Sequence, residues 1–371
     1  MLQKALVLVF VMASITGLTG CGTIANHYVY AALPAANQII AYREDPNSGV
    51  LTLVAGSPYS VGNGVHALAL HPSGKFLYAA NPGEAGSAES DISLFNIASN
   101  GVLTEVFPRT TVAPNGSLPV LLVMDPGGAF LYVGNAGSNN ISVFSIDSST
   151  GALAPIANSP FALGATPLSM QITPSGNFLY VSAASEPQGL VLAFSVNAGE
   201  LTTLNGYPTD GNNPNGMTID PSGSFLYVAN SGSNSIAIFS IGSSPLPPGA
   251  LGLVANSPVN VGFSVPIALT LDPKGQNLYA ANQGSNNVAV FSINATTGLP
   301  NILTTSTTTG AFTTVASPSV LGMDPSGNYL YVGSQGTSAQ IEAFSVTPGN
   351  LTAISNYGVG NTPTSIVVLG K

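Results

Sequence analysis

The 371-residue chain predicts an all-β fold, a seven-bladed β-propeller with four antiparallel strands per blade. Three observations predict it. A turn-and-strand phrase recurs along the chain, each recurrence divides into four short strands, and the final segment supplies the one strand that the first unit lacks.

The phrase reads His71-Pro-Ser-Gly-Lys-Phe-Leu-Tyr78 at its first full appearance. It returns at Asp125–Tyr132, Thr173–Tyr180, Asp220–Tyr227, Asp272–Tyr279 and Asp324–Tyr331. Tyr30 is a seventh tyrosine without the preceding turn, and the intervals from it are 48, 54, 48, 47, 52 and 52 residues. Such a period signals a repeat architecture, in which each unit buries its faces against its neighbours.

The unit around Tyr227 shows the division. Met217–Asp220 reads as the first strand. Asp220-Pro-Ser-Gly is a type I turn signature, with Asp capping and Pro at the second position. Phe225–Ala229 and Ser235–Ile241 read as the second and third strands, and Gly249–Ala255 holds the fourth, before Ser257-Pro258. Phe-Leu-Tyr-Val-Ala is apolar on both faces, as a sheet sandwiched between two others requires; a one-faced antiparallel sheet would alternate. The first unit begins at its second strand, Tyr28–Ala32, and the chain ends in Pro363–Leu369, which matches a first strand. The C-terminal strand is therefore expected to complete the first blade, leaving no open edge.

Composition agrees. The chain is 45% hydrophobic and only 6% charged, with 42 Gly and 28 Pro, so disorder is excluded and frequent turns are implied. The net charge is -9 and the six Lys and Arg are scattered. Nucleic-acid binding and a polybasic membrane patch are excluded, because both need clustered cations. His27, His66 and His71 have no metal-ligand spacing and no cysteine pair exists, so neither metal nor other cofactor is expected.

Met1–Gly20 reads as a signal segment, with Lys4 ahead of an apolar run too short to span a bilayer. Leu18-Thr19-Gly20-Cys21 resembles the lipobox of bacterial lipoproteins. The resemblance implies cleavage before Cys21, lipid on its thiol, and a linker over 21–26 ahead of one domain over 27–371. Gly22 in place of Asp leans towards the outer membrane.

Tyr-Val-Ala-Asn at 227–230, Tyr-Val-Gly-Asn at 132–135 and Tyr-Ala-Ala-Asn at 279–282 look like the YVTN propeller repeat. The wider unit resembles the bacterial lactonase family, also called cycloisomerase 2, whose founding activity is 6-phosphogluconolactonase. Lactonase relatives tend to carry a basic residue and His together at the channel mouth, and an acid after the Tyr-Val-X-Asn strand. Here Val65 precedes His66, and Glu84 is the nearest acid.

In a propeller the first strands line the channel. Counting back five from each turn phrase gives His66, Val120, Leu168, Asn215, Ile267 and Ser319 at the mouth, with Thr364 from the closing strand. Only His66 can do acid–base work near neutral pH, so His66, with Glu84, is the catalytic candidate. Asn81, Asn135, Asn215, Asn230 and Asn282 are the candidate ligand-binding residues, since amides suit neutral sugars or peptide backbone. No cation remains for a phosphate at the mouth. The first functional reading is therefore a monomeric, envelope-anchored binding module recognising a protein or neutral glycan. Beside it stand a lactone hydrolase using His66 on an unphosphorylated substrate, and a scaffold without ligand.

Overall fold

Side chains of the phrase Phe-Leu-Tyr are buried on both faces because each sheet is packed between two others. The computed structural model describes residues 27–370 apart from 84–89, 113–114, 184, 186, 304–310, 315–316, 336–338 and 348. It contains seven antiparallel sheets arranged as the blades of a propeller, numbered here from the N-terminus. Blade 5 is typical, with strands Pro214–Ile219, Phe225–Asn230, Ser235–Ile241 and Leu251–Leu253 in order from the channel outward. In blade 1 the innermost strand is Ser365–Gly370, paired antiparallel with His27–Leu33 from Ala32↔Ser365 to His27↔Gly370. The tail of the chain thus closes the ring.

Several strand ends differ from the sequence reading by one or two residues, and two differences in blade 5 are larger. The innermost strand of blade 5 begins at Pro214, three residues early, because a bulge between Pro214 and Met217 lets pairing continue past the irregularity. The outer strand is shorter than expected, and a second short piece, Val259–Asn260, pairs with Ser235–Ile236. Between the pieces the Ser257 hydroxyl accepts the amide of Ile238 at 2.7 Å. Ser57 and Ser159 do the same for Ala41 and Val143 in blades 1 and 3. The Ser of these three Ser-Pro pairs satisfies an amide that the broken outer strand abandons.

The blades are locked by aromatic rings over glycine. The glycine between third and fourth strands has positive φ in every blade: Gly49, Gly101, Gly151, Gly199, Gly249, Gly298 and Gly349. The ring two residues before the repeat tyrosine in one blade lies on the glycine of the next. A Cβ on Gly249 would sit 2.2 Å from the Phe178 ring, and one on Gly298 would sit 2.4 Å from Phe225. Tyr28 covers Gly101, Phe76 covers Gly151, Phe130 covers Gly199, and Tyr329 of blade 7 covers Gly49 of blade 1. The repeat tyrosine adds a bond to the same turn: Tyr30, Tyr78, Tyr180 and Tyr227 donate to the carbonyls of Gly101, Gly151, Gly249 and Gly298 at 2.8–3.0 Å.

Gly249→Ala should therefore cost about 2–4 kcal/mol, from left-handed strain and a clash with Phe178. Gly358→Ala, where nothing lies within 4 Å of the new Cβ, should change stability by less than about 0.5 kcal/mol. Thermal or denaturant melts of the two variants check the contrast; equal effects would sink the interlock.

Candidate functional site: the channel mouth

Proline starts the innermost strand of blades 3 to 7, at Pro119, Pro167, Pro214, Pro266 and Pro318. Each of these strands carries an irregularity beside its proline. The residue after the proline is left out of the ladder, as Leu168 is between Pro167↔Ala183 and Ser169↔Ser182. A bulge re-aims a side chain, and here it delivers one residue per blade to the channel. Before the proline, Leu118, Asn213, Val265 and Ser317 hold φ of 51, 51, 55 and 37°. Their carbonyls accept amides of Ala136, Ser231, Gln283 and Gln335 from the neighbouring loop, which keeps this strained turn in place.

The result is a cavity of about 400 Å³ whose lining includes His66, Val120, Leu168, Asn215, Ile267, Ser319 and Thr364. These are the seven residues counted from the sequence. Among the described residues the lining contains no Asp, Glu, Lys or Arg. His66 is fixed on three sides. Its amide donates to Ala80 O at 2.9 Å, its carbonyl accepts the Thr364 hydroxyl at 2.8 Å, and Nδ1 lies 3.0 Å from Val120 O. A carbonyl only accepts, so Nδ1 carries the proton and neutral His66 has its lone pair on Nε2. Burial pushes the imidazole below its ordinary 6.5, opposed by the Val120 bond. Asn215 Nδ2 donates to the Ser231 hydroxyl at 2.7 Å, and the Ser319 hydroxyl donates to Gly333 O at 3.1 Å.

The other asparagines are not at the mouth. Asn81, Asn135, Asn230 and Asn282 are all fully buried. Their amides bond within the blades: Asn135 Nδ2 to Asn140 Oδ1 at 2.8 Å and Ser142 Oγ at 2.9 Å, and Asn81 Nδ2 to Asp91 Oδ1 at 2.6 Å. Gly62 and Gly211 approach so closely that a Cβ would meet Asn81 and Asn230 at 2.4 Å. Four of the five expected ligand asparagines thus pin the ends of second strands; only Asn215 faces the cavity. Glu84 and Cys21 lie outside the described residues.

The described cations lie away from the mouth. Arg43 is on the exposed side of a third strand, Lys75 and Lys274 are in turns, and Arg109 is held by Glu105 at 2.6 Å. A hollow of about 450 Å³ lies beside Arg109 between blades 2 and 3. It offers no acid–base group of its own, and its cation is already paired. The repeat aspartates cap their turns as expected; Asp125 and Asp220 accept amides two residues on at 3.0 and 3.1 Å. One buried group, His27, Glu44 and Asp324, has the donor set of a cation site. It lies at the far end of the closing strand, where His27 pairs with Gly370.

The sequence matches the family described as "Lactonase, 7-bladed beta-propeller" over residues 56–167, 159–263 and 225–317. A 6-phosphogluconolactonase of Yersinia pestis (strain Pestoides F) is 25% identical over 349 residues, 92% of this chain and 98% of that one. A protein from Lactobacillus plantarum superposes with a TM-score of 0.75 at 19% identity, covering 93% of this chain and 100% of the other. The periplasmic gluconolactonase of Pseudomonas aeruginosa does so with a TM-score of 0.74 at 18% identity, covering 93% and 99%.

If Asn135 is structural, Asn135→Ala should cost about 1–3 kcal/mol by stranding buried partners. The check is a melt alongside ligand titration. Unchanged stability with weakened ligand binding would return Asn135 to the binding surface.

Proposed function

Because the chain belongs to the lactonase family of seven-bladed β-propellers, we propose that it is an exported hydrolase of a neutral, unphosphorylated sugar lactone, with His66 as general base. The observation that carries this reading is the His66 imidazole, held through Nδ1 by Val120 O so that Nε2 keeps the lone pair beside a 400 Å³ cavity. Family membership moves the balance from the binding module suggested by the bland surface to a hydrolase.

The chemistry needs one base and a place for the substrate. Nε2 takes a proton from water as the water oxygen bonds to the lactone carbonyl carbon. The ring ester C–O bond then breaks, and the imidazolium returns the proton to the departing ring oxygen. The product is the open hydroxy acid. Ser319 and Thr364 donate their hydroxyl protons to backbone carbonyls, which leaves their lone pairs to accept substrate hydroxyls. A phosphate would find no cation in the lining, and phosphate recognition calls for Arg, Lys, a metal or a helix N-terminus.

Two measurements test this. His66→Gln should lower kcat/KM for a neutral aldonolactone by about 100-fold or more, with little change in melting temperature. The charged form of His66 is the disfavoured one, so the neutral base persists below pH 6.5. The acidic limb of kcat/KM should therefore lie under 6.5, and activity should be flat above it. Full activity in His66→Gln would end the proposal.

Export is supported by the periplasmic placement of the Pseudomonas aeruginosa relative and by the lipobox resemblance ending at Cys21. We read Cys21 as the lipid anchor. Cys21→Ser should move the protein from the detergent phase to the aqueous phase on Triton X-114 partition; unchanged partition would refute the anchor.

A further inference from the structure

The seam between blades 7 and 1 carries a polar cluster that no catalytic argument uses. His27 Nδ1 lies 2.7 Å from Asp324 Oδ1 and 3.2 Å from Glu44 Oε1. All three donor atoms fall within 4.8 Å of one another. Glu44 and Asp324 are 1% and 0% exposed. The group bridges the ring closure, since Asp324 belongs to blade 7 while His27 and Glu44 face each other across adjacent strands of blade 1.

Three departures from the repeat mark this cluster. The first is Glu44. At the end of the third strand, its equivalents in blades 2 to 7 are Ile97, Ile146, Val196, Ile241, Ile293 and Val346, each donating its amide to the strand before it as the register requires. Six aliphatic side chains and one carboxylate occupy the same place. The second is Asp324. In blades 3 and 5 the matching Oδ1 accepts the amide five residues on, from Phe130 and Phe225. In blade 7 that oxygen faces His27 instead. The third is Tyr331. Its counterparts Tyr30, Tyr78, Tyr180 and Tyr227 donate to a glycine carbonyl of the next blade. Tyr331 is fully buried and, like Tyr132 of blade 3, makes no such bond to glycine; in blade 7 Glu44 is the charge that acts on the hydroxyl most. Glu44 Oε2 is likewise buried without a partner.

Charge points the same way. With both carboxylates ionised, one negative charge stays uncancelled even when the imidazole is protonated. Burying an uncompensated charge is expensive, whereas carboxylates that coordinate a cation are a stable buried arrangement. We propose that His27, Glu44 and Asp324 bind a divalent transition metal ion that staples blade 7 to blade 1. Separations of 2.7 and 3.2 Å are close to the edges of a coordination shell with bonds of about 2.1 Å. An imidazole nitrogen with only two carboxylates favours zinc or manganese over calcium, which takes six to eight oxygens. Water would complete the shell.

The ion would act on stability. A ligand bound only by the folded chain stabilises it by RT ln(1 + L/Kd), where L is the free ligand concentration, and so raises its melting temperature, and this ligand would tie the one junction made by separate ends of the chain. The test uses untagged full-length protein, stripped with chelator and dialysed, then given zinc, manganese or calcium. We expect one zinc or manganese per chain by elemental analysis and a rise of several degrees in melting temperature, with no such rise for calcium. Glu44→Ile installs the residue of the sibling blades. It should fold at least as stably as the stripped wild type and lose both uptake and shift. His66→Gln should keep both. Wild-type protein that takes up no stoichiometric metal, and melts alike with and without it, would show the cluster to be an imidazolium bridging two acids. That result overturns the proposal, as does Glu44→Ile binding metal like the wild type.

Discussion

Contact between an aromatic ring in one blade and a left-handed glycine in the next is the constraint on which the rest of this structure depends. A blade has two apolar faces and no core of its own, so it is stable only between neighbours. The ring-on-glycine contact fixes how each neighbour sits. It needs a residue without Cβ, because the ring occupies the place where Cβ would be, and it needs positive φ, which glycine adopts freely. Both requirements meet at Gly249 under Phe178 and at Gly49 under Tyr329. The second of these joins blade 7 to blade 1, so the same contact that propagates the array also closes it. Where the ring is missing, at Asn277 of blade 6, the matching Gly349 is approached only by Leu303, at 3.4 Å. The tyrosine of that blade, Tyr279, is still buried.

Fixed spacing between blades has a consequence at the channel. In blades 3 to 7 a proline-led bulge aims one side chain inward, and Thr364 and His66 take the matching places in blades 1 and 2. Seven equivalent positions then form a ring whose chemistry is set by a single residue per blade. Six of them are aliphatic, hydroxylic or amide side chains and one is His66. A pocket built in this way changes specificity by substitution at the bulge without touching the blade interfaces, because the bulged residue makes no ladder pairing for the sheet to lose.

This also explains what could be read in advance. The tyrosine period gave blade number and closure, because every Tyr-bearing strand is buried the same way. Counting five back from each turn gave the mouth, because the turn phrase and the bulge are rigidly spaced on one strand. Asn81, Asn135, Asn230 and Asn282 misled for the same reason: they recur because a strand end needs them, and recurrence in a repeat signals structure before it signals a ligand. The proline one residue before every mouth position but His66 was the available signal for the bulge. The His27–Glu44–Asp324 group was hidden, since its members are spread from one end of the chain to the other and meet only when the ring closes. Glu44 did carry a trace, as a lone carboxylate where sibling blades place Ile or Val.

The way His66 is held bears on which reactions it can serve. A carboxylate behind Nδ1 would raise the basicity of Nε2 and stabilise the imidazolium. A backbone carbonyl fixes the same tautomer with much less charge, and burial then holds the imidazole below its ordinary range. The outcome is an imidazole whose neutral form is favoured and whose basicity is correspondingly reduced. Such a base is poorly matched to amides or unactivated glycosides, whose leaving groups need strong assistance. It is adequate for a lactone, an ester whose carbonyl is exposed by the ring and whose cleavage is already downhill in water. A mouth whose described residues carry no fixed charge would suit the proposed lactone: Asn215, Ser319 and Thr364 would take its hydroxyls, and no described charge would hold back an anionic product.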